Sequence, residues 1–473
     1  MNVNFNTSEI LNILIVIVLF YILKRKNDVT TLLWALFAYG TLHFGFAVTS
    51  LATAETKSNL IALHNSGGGV FAKSATILLL SVVFVLLIKR AYIVFFLNKN
   101  SGKKIVFLIA FVMCAMLYGY VLNFRANDWL QLKNVMSLEA MVFLIAIAIL
   151  ASNGECSQDE DTPSVWWLYG LLILIISDSI AIYEVFTHSS WAGTLQSSGD
   201  MVYRASSILF NPNLLAFWAS LVYLGSSYGL HAYKTRKKIM IANMVLVSIA
   251  IYFSGSRSSA YILFFVLFIS AFLIKKSFAW IPLLVLPLTM LLIYAGATWL
   301  APIFVANNIG WNEISLLGER FAATPVQLLN YVFWKSDSLL RFLAGFSGGV
   351  SIRDVLGVTT HGVPPEIVQS IEGRFTGGLE DSGWLVLYQD VGWVGLGGML
   401  LACGVLFVSG VYSCLKNSSR TSVYWLAALL NCVLTGFVMR FQIFPVWLFI
   451  GLVVVVSLMQ WRKSELAALR GGV

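Results

Sequence analysis

Six arginines stand where a positive charge needs a reason: Arg204 and Arg257 at the edges of apolar runs, and Arg320, Arg341, Arg353 and Arg374 in one polar stretch, 301–385. A guanidinium keeps its charge and binds phosphate oxygens with two parallel hydrogen bonds. A group of them at a membrane boundary suits the anion of a lipid-linked pyrophosphate. Arg204 lies in RASSILFNPN, with Asn211 and Asn213 as added polar groups around Pro212, and Arg257 lies in the tight polar turn SGSRSS. Snorkelling to the interface, or an ion pair with Asp178 or Glu184 in the preceding apolar run, is the structural alternative for each arginine.

Where the polar stretch meets the next apolar run stand Glu380 and Asp381, and within it THGVPPE holds His361. A carboxylate or imidazole so placed serves as a general base toward a hydroxyl. Asp381 and Glu380 also suit the cap of the helix that follows, and His361 suits a solvated turn, so both readings stand for each. Trp191, Trp311, Tyr331, Trp334 and Trp384 suit stacking on sugar rings or an interfacial aromatic belt.

These residues are positioned by an unusually apolar chain. Of its 473 residues 59% are hydrophobic and 11% charged, with a mean hydropathy of +0.82. Soluble domains are about 45–50% apolar and about 25% charged. An all-α polytopic membrane protein is expected. Apolar runs near 10–23, 31–52, 69–88, 104–124, 135–151, 165–186, 205–232, 239–253, 260–274, 279–300, 386–414, 422–439 and 443–460 predict about twelve or thirteen spans. MNVNFNTSE lacks the basic start of a secretory signal, so the first run is read as a retained helix.

Lysines and arginines cluster at 24–26, 89–90, 103–104, 234–238, 275–276, 416–420 and 462–463, all on one side of this helix count. That side is predicted to be cytoplasmic, which puts 301–385 outside. The division is therefore 1–300 as N-terminal transmembrane helices, 301–385 as a large periplasmic loop, and 386–473 as C-terminal helices with a short cytoplasmic tail.

Other chemistries find little purchase. The net charge of +9 resides mostly at the ends of apolar runs, where it orients helices and meets anionic membrane lipid, so nucleic acid is not an expected partner. The five histidines lack mutual ligand spacing and no cysteine pair reads CxxC, so no metal is expected. None of the five cysteines falls in the outer loop, so no disulfide is expected there. A GxxxxGK(S/T) phosphate loop is absent, which argues against a self-contained ATP-driven pump. A transporter remains the rival class, but inverted repeats are not evident. Gly392, Gly395, Gly397 and Gly398 are expected to let helices pack closely.

RASSILFNPN, then SGSRSSAYILF, then GERFAATPVQLL leading to LAGFSGG, then EDSGWLVLYQDVGWVGLGGML together resemble the O-antigen polymerase and O-antigen ligase superfamily of bacterial envelope glycosyltransferases. The resemblance covers roughly the half of the chain from Arg204 onward. It implies a GT-C-like fold in the inner membrane and a metal- and cofactor-independent, inverting transfer of glycan from undecaprenyl pyrophosphate, its site facing the periplasm. It also implies a lipid-linked donor and acceptor, with a chain-length regulator and a flippase as partners. Arg204, Arg257 and Arg320 match the family's arginines and would hold the pyrophosphate, with Arg341, Asn211 and Asn213 nearby. Glu380, Asp381 and Ser382 stand where the ligase branch carries a histidine and an asparagine. That departure favours a polymerase of O-antigen or exopolysaccharide repeat units over a ligase.

Overall fold

In an apolar run the cheapest way to satisfy every backbone N–H and C=O is internally, in an α-helix. The computed structural model describes residues 164–187, 196–198, 202–205, 207, 212–232, 237–274, 280–299, 343, 383–417 and 420–437. Among them are seven helices: α1 (Ser164–Thr187), α2 (Pro212–Ala232), α3 (Lys237–Ser254), α4 (Arg257–Ile274), α5 (Trp280–Trp299), α6 (Gly383–Asn417) and α7 (Arg420–Thr435). Between α1 and α2, strands β1 (Gln196–Ser198) and β2 (Val202–Arg204) pair antiparallel, with Gln196 opposite Arg204.

The hairpin of α2 and α3 is the centre of the arrangement. α1 and α5 pack on α3, while α7 packs on α2, α4 and α6. The hairpin closes tightly at Gly229, where an added Cβ would lie 2.7 Å from Met240 Sδ. Trp218, Phe217, Tyr223, Met244 and Val247 are buried in it, and the Tyr223 hydroxyl donates to the Pro282 carbonyl at 2.5 Å, tying α2 to α5.

Outward faces run the other way. Leu284, Leu288, Leu291 and Leu292 on α5, Phe264, Phe265, Phe268 and Phe272 on α4, and Leu401, Val408, Tyr412 and Leu415 on α6 are all exposed. Water-soluble chains rarely leave such ridges open. α3 and the Gly392–Tyr412 part of α6 are long and apolar enough to cross a membrane.

The expected runs 165–186, 239–253, 260–274, 279–300 and 422–439 coincide with α1, α3, α4, α5 and α7 to within a few residues. Two differ. The run at 205–232 becomes helix only at Pro212, whose fixed φ and missing N–H suit a first helical position. The run at 386–414 is one helix in outline, α6, but it breaks at Gly392 (φ 62, ψ −166), a conformation open essentially to glycine alone. Gly392 thus bends the chain, and at Gly397 an added Cβ would meet nothing within 4 Å, so close packing does not explain that glycine. The runs before 164 and the run at 443–460 lie outside the described residues.

Candidate functional site

A helix leaves its last carbonyls without partners inside the helix, and α3 ends in a way that recruits a distant segment to supply them. The Ala205 N–H donates to the Phe253 carbonyl at 2.9 Å. The Arg204 side chain follows, its Nε donating to the Ser254 carbonyl at 3.0 Å while Nη2 donates to Asn213 Oδ1 at 2.7 Å. One guanidinium therefore links β2, the first turn of α2 and the end of α3. The two polar motifs, RASSILFNPN and SGSR, meet at this side chain although 50 residues separate Arg204 from Ser254.

The SGSR turn is built for the junction. Gly255 takes a left-handed conformation (φ 60), as glycine does just past a helix end, and its N–H donates to the Tyr252 carbonyl at 3.0 Å. Ser254 Oγ donates to the Ile251 carbonyl at 2.7 Å and accepts from the Ser256 N–H at 3.2 Å. Ser256 then opens α4, its Oγ lying 3.0 Å from that of Ser259. Arg257 is the first residue of α4. The first turns of α2 and α4, each a partly positive helix end, thus lie beside Arg204 together with the partly negative carbonyl end of α3, which Arg204 meets at Ser254.

Gly255 also lies under the arginine: an added Cβ would stand 3.2 Å from Arg204 Cγ and 3.4 Å from its Nε. Gly255→Ala is accordingly expected to destabilise by about 1–2 kcal/mol from the left-handed backbone, and to push Arg204 off the Ser254 carbonyl as well. Thermal unfolding in detergent, compared with Gly397→Ala as a control where an added Cβ meets nothing within 4 Å, measures the first effect. An unchanged midpoint for Gly255→Ala would show that the turn does not depend on glycine.

Behind the arginine, α1 holds the chain leaving β2. Glu184 Oε2 accepts from the Ser207 N–H at 2.8 Å, Ser207 Oγ donates to the Ser177 carbonyl at 2.7 Å, and the Ser177 and Ser207 hydroxyls lie 3.0 Å apart. Ser207 is buried with φ 49, a left-handed backbone at a residue that is not glycine. Ala181, Val185 and Ala205 pack beside it, with Phe253 against them. Asp178, on the same helix, is buried, and among the described residues neither of its oxygens has a hydrogen-bond partner.

Of the residues singled out by sequence, the structure brings together Arg204 and Asn213 and sets the start of α4 at Arg257 beside them. Asn211, Arg320, Arg341, His361, Glu380 and Asp381 lie outside the described residues. Trp384 serves the packing of the helices. It is buried, its Nε1 donates to the Val433 carbonyl at 2.9 Å and its backbone N–H to the Gly436 carbonyl at 3.3 Å, so it closes the end of α7. That burial rules out sugar stacking at Trp384 in this conformation. Ser177, Ser207 and Gly255 are the contributors that sequence reasoning missed. Of these only Gly255 carries a signal, a glycine between two polar helix ends. No protein-family model matches the chain, and no curated protein matches it.

Proposed function

We propose that the protein is a bacterial inner-membrane glycosyltransferase of GT-C-like fold, with about twelve or thirteen helices and one large periplasmic loop. It polymerises undecaprenyl-pyrophosphate-linked repeat units of O-antigen or exopolysaccharide at the periplasmic face. The observation that supports this reading is the convergence on Arg204 of the NPN and SGSR segments, with two helix N-termini beside it. An arginine at membrane depth is costly and here is built into a polar junction rather than left to snorkel.

In this reading the acceptor's hydroxyl oxygen attacks the donor's anomeric carbon and forms the new glycosidic bond. The bond from that carbon to the pyrophosphate oxygen breaks, the hydroxyl proton passes to Asp381, and the electron pair leaves on the pyrophosphate. Arg257 and Arg204, with Arg320 from the loop, stabilise the charge that grows there. Little covalent help is needed, because the leaving group is already good and the main requirement is to hold two long glycans in line. The exposed apolar faces of α4, α5 and α6 suit a surrounding of lipid, where the donor's polyprenyl chain resides.

The test is to incubate the purified protein in detergent or nanodiscs with a synthetic undecaprenyl-pyrophosphate repeat unit, with and without lipid A core. Elongation of the lipid-linked glycan is the expected result. Transfer to lipid A core would make the protein a ligase, and turnover in neither mixture would turn the reading toward a transporter.

A further inference from the structure

Glu184 takes no part in the transfer step, yet it is a carboxylate on an apolar helix, almost wholly buried, and it holds a strained residue. Ser207, three residues beyond Arg204, has a backbone that L-residues with a side chain avoid. Such a conformation persists only where the surroundings over-determine it. Among the described residues the surroundings are three contacts to one helix: the Glu184 carboxyl group on its N–H, and the Ser177 carbonyl and hydroxyl on its Oγ. Of the three, the Glu184 contact is the one that holds the Ser207 backbone, taking a buried N–H that is costly to leave unpaired.

The direction of that clamp sets the arginine. Ala205, between Arg204 and Ser207, is buried against Ala181 and Val185 of the same helix and bonded to the Phe253 carbonyl. With Ala205 and Ser207 fixed, the chain leaves β2 on a path that lets Arg204 reach both Ser254 and Asn213. We propose that Glu184 is a positioning residue of the arginine site, holding the β2-to-α2 connector so that Arg204 is set for a pyrophosphate ligand; this rests on the function proposed above. Glu184 is 1% exposed and occupied with a backbone amide, so it acts through Ser207 and Arg204 and not on the ligand.

Two readouts on the full chain in detergent micelles test it: amide hydrogen exchange of the peptide spanning Ala205 and Ser207, and affinity for undecaprenyl pyrophosphate. Glu184→Ala is expected to raise exchange there and to weaken binding, each roughly tenfold or more. Glu184→Gln keeps an acceptor oxygen and serves where the alanine variant folds poorly; it is expected to show the same losses, but smaller. The decisive variant is Ser207→Gly in the Glu184→Ala background. Glycine enters the left-handed region freely, so it is expected to recover affinity roughly fivefold or more, whereas Ser207→Ala in the same background recovers none.

Unchanged exchange in both Glu184 variants would overturn the proposal. So would loosened exchange with unchanged affinity, or equal rescue by alanine and glycine. If the unaltered protein does not bind the probe, the pyrophosphate function fails instead, and the exchange measurement alone then decides whether Glu184 clamps the connector.

Discussion

Arg257→Lys is expected to give a protein that inserts at normal levels and forms little polymer, with transfer lowered roughly 10²-fold or more, the scale of losing one preorganised donor to developing charge. Lysine keeps the positive charge and the reach to the interface, so a snorkelling anchor would tolerate it. What lysine loses is the planar fork that meets two phosphate oxygens at once. The position of Arg257 makes the distinction sharp. It opens α4 directly after Gly255 and Ser256, whose backbone amides are both hydrogen-bonded within the turn, so the backbone has little freedom to re-aim a replacement side chain. Chain elongation by purified protein, normalised to the amount of folded protein, measures the effect. Near-normal elongation would leave Arg257 as an anchor and shift the anion to other arginines.

The second large effect concerns Asp381, which stands two residues before the start of α6 at Gly383. If Asp381 takes the acceptor's proton, Asp381→Asn is expected to lower transfer by about 10²-fold or more while leaving thermal stability nearly unchanged, since asparagine caps a helix as well as aspartate does. If Asp381 serves only as a cap, the order reverses: asparagine is nearly silent and Asp381→Ala costs roughly 0.5–2 kcal/mol. The two variants, each measured for elongation and for thermal unfolding, separate base from cap. Full activity in the asparagine variant would pass the role of base to Glu380 or His361.

Among the described residues, element existence was legible in the sequence because a run of some twenty apolar residues leaves the backbone few options. What the run does not reveal is where a helix begins when apolar residues continue through its connector. Ala205, Ile208, Leu209 and Phe210 read as part of a span, but Pro212 supplies the helix start and the clamp on Ser207 bends the chain before it. The break at Gly392 was equally hidden, since a glycine in an apolar run looks the same whether it packs or bends. Arg204 and Arg257 could be placed on one face by counting helices. That Arg204 would bond to the Ser254 carbonyl could not, because a backbone carbonyl has no identity in the sequence. Glu184 is the same case, since its partner is the amide of a serine 23 residues away.

The contact of Trp384 with the end of α7 fixes an order of events during synthesis. Residues 383–391, ahead of the break at Gly392, dock through a ring nitrogen on Val433 and a backbone amide on Gly436, both of which emerge from the ribosome about fifty residues later. At about 5–20 residues per second, this short segment waits roughly 2–10 s for its partner. The stretch that carries Glu380 and Asp381 leads directly into it. Residues 383–391 are therefore secured late in synthesis, and a chain cut before Val433 lacks both partners of that contact.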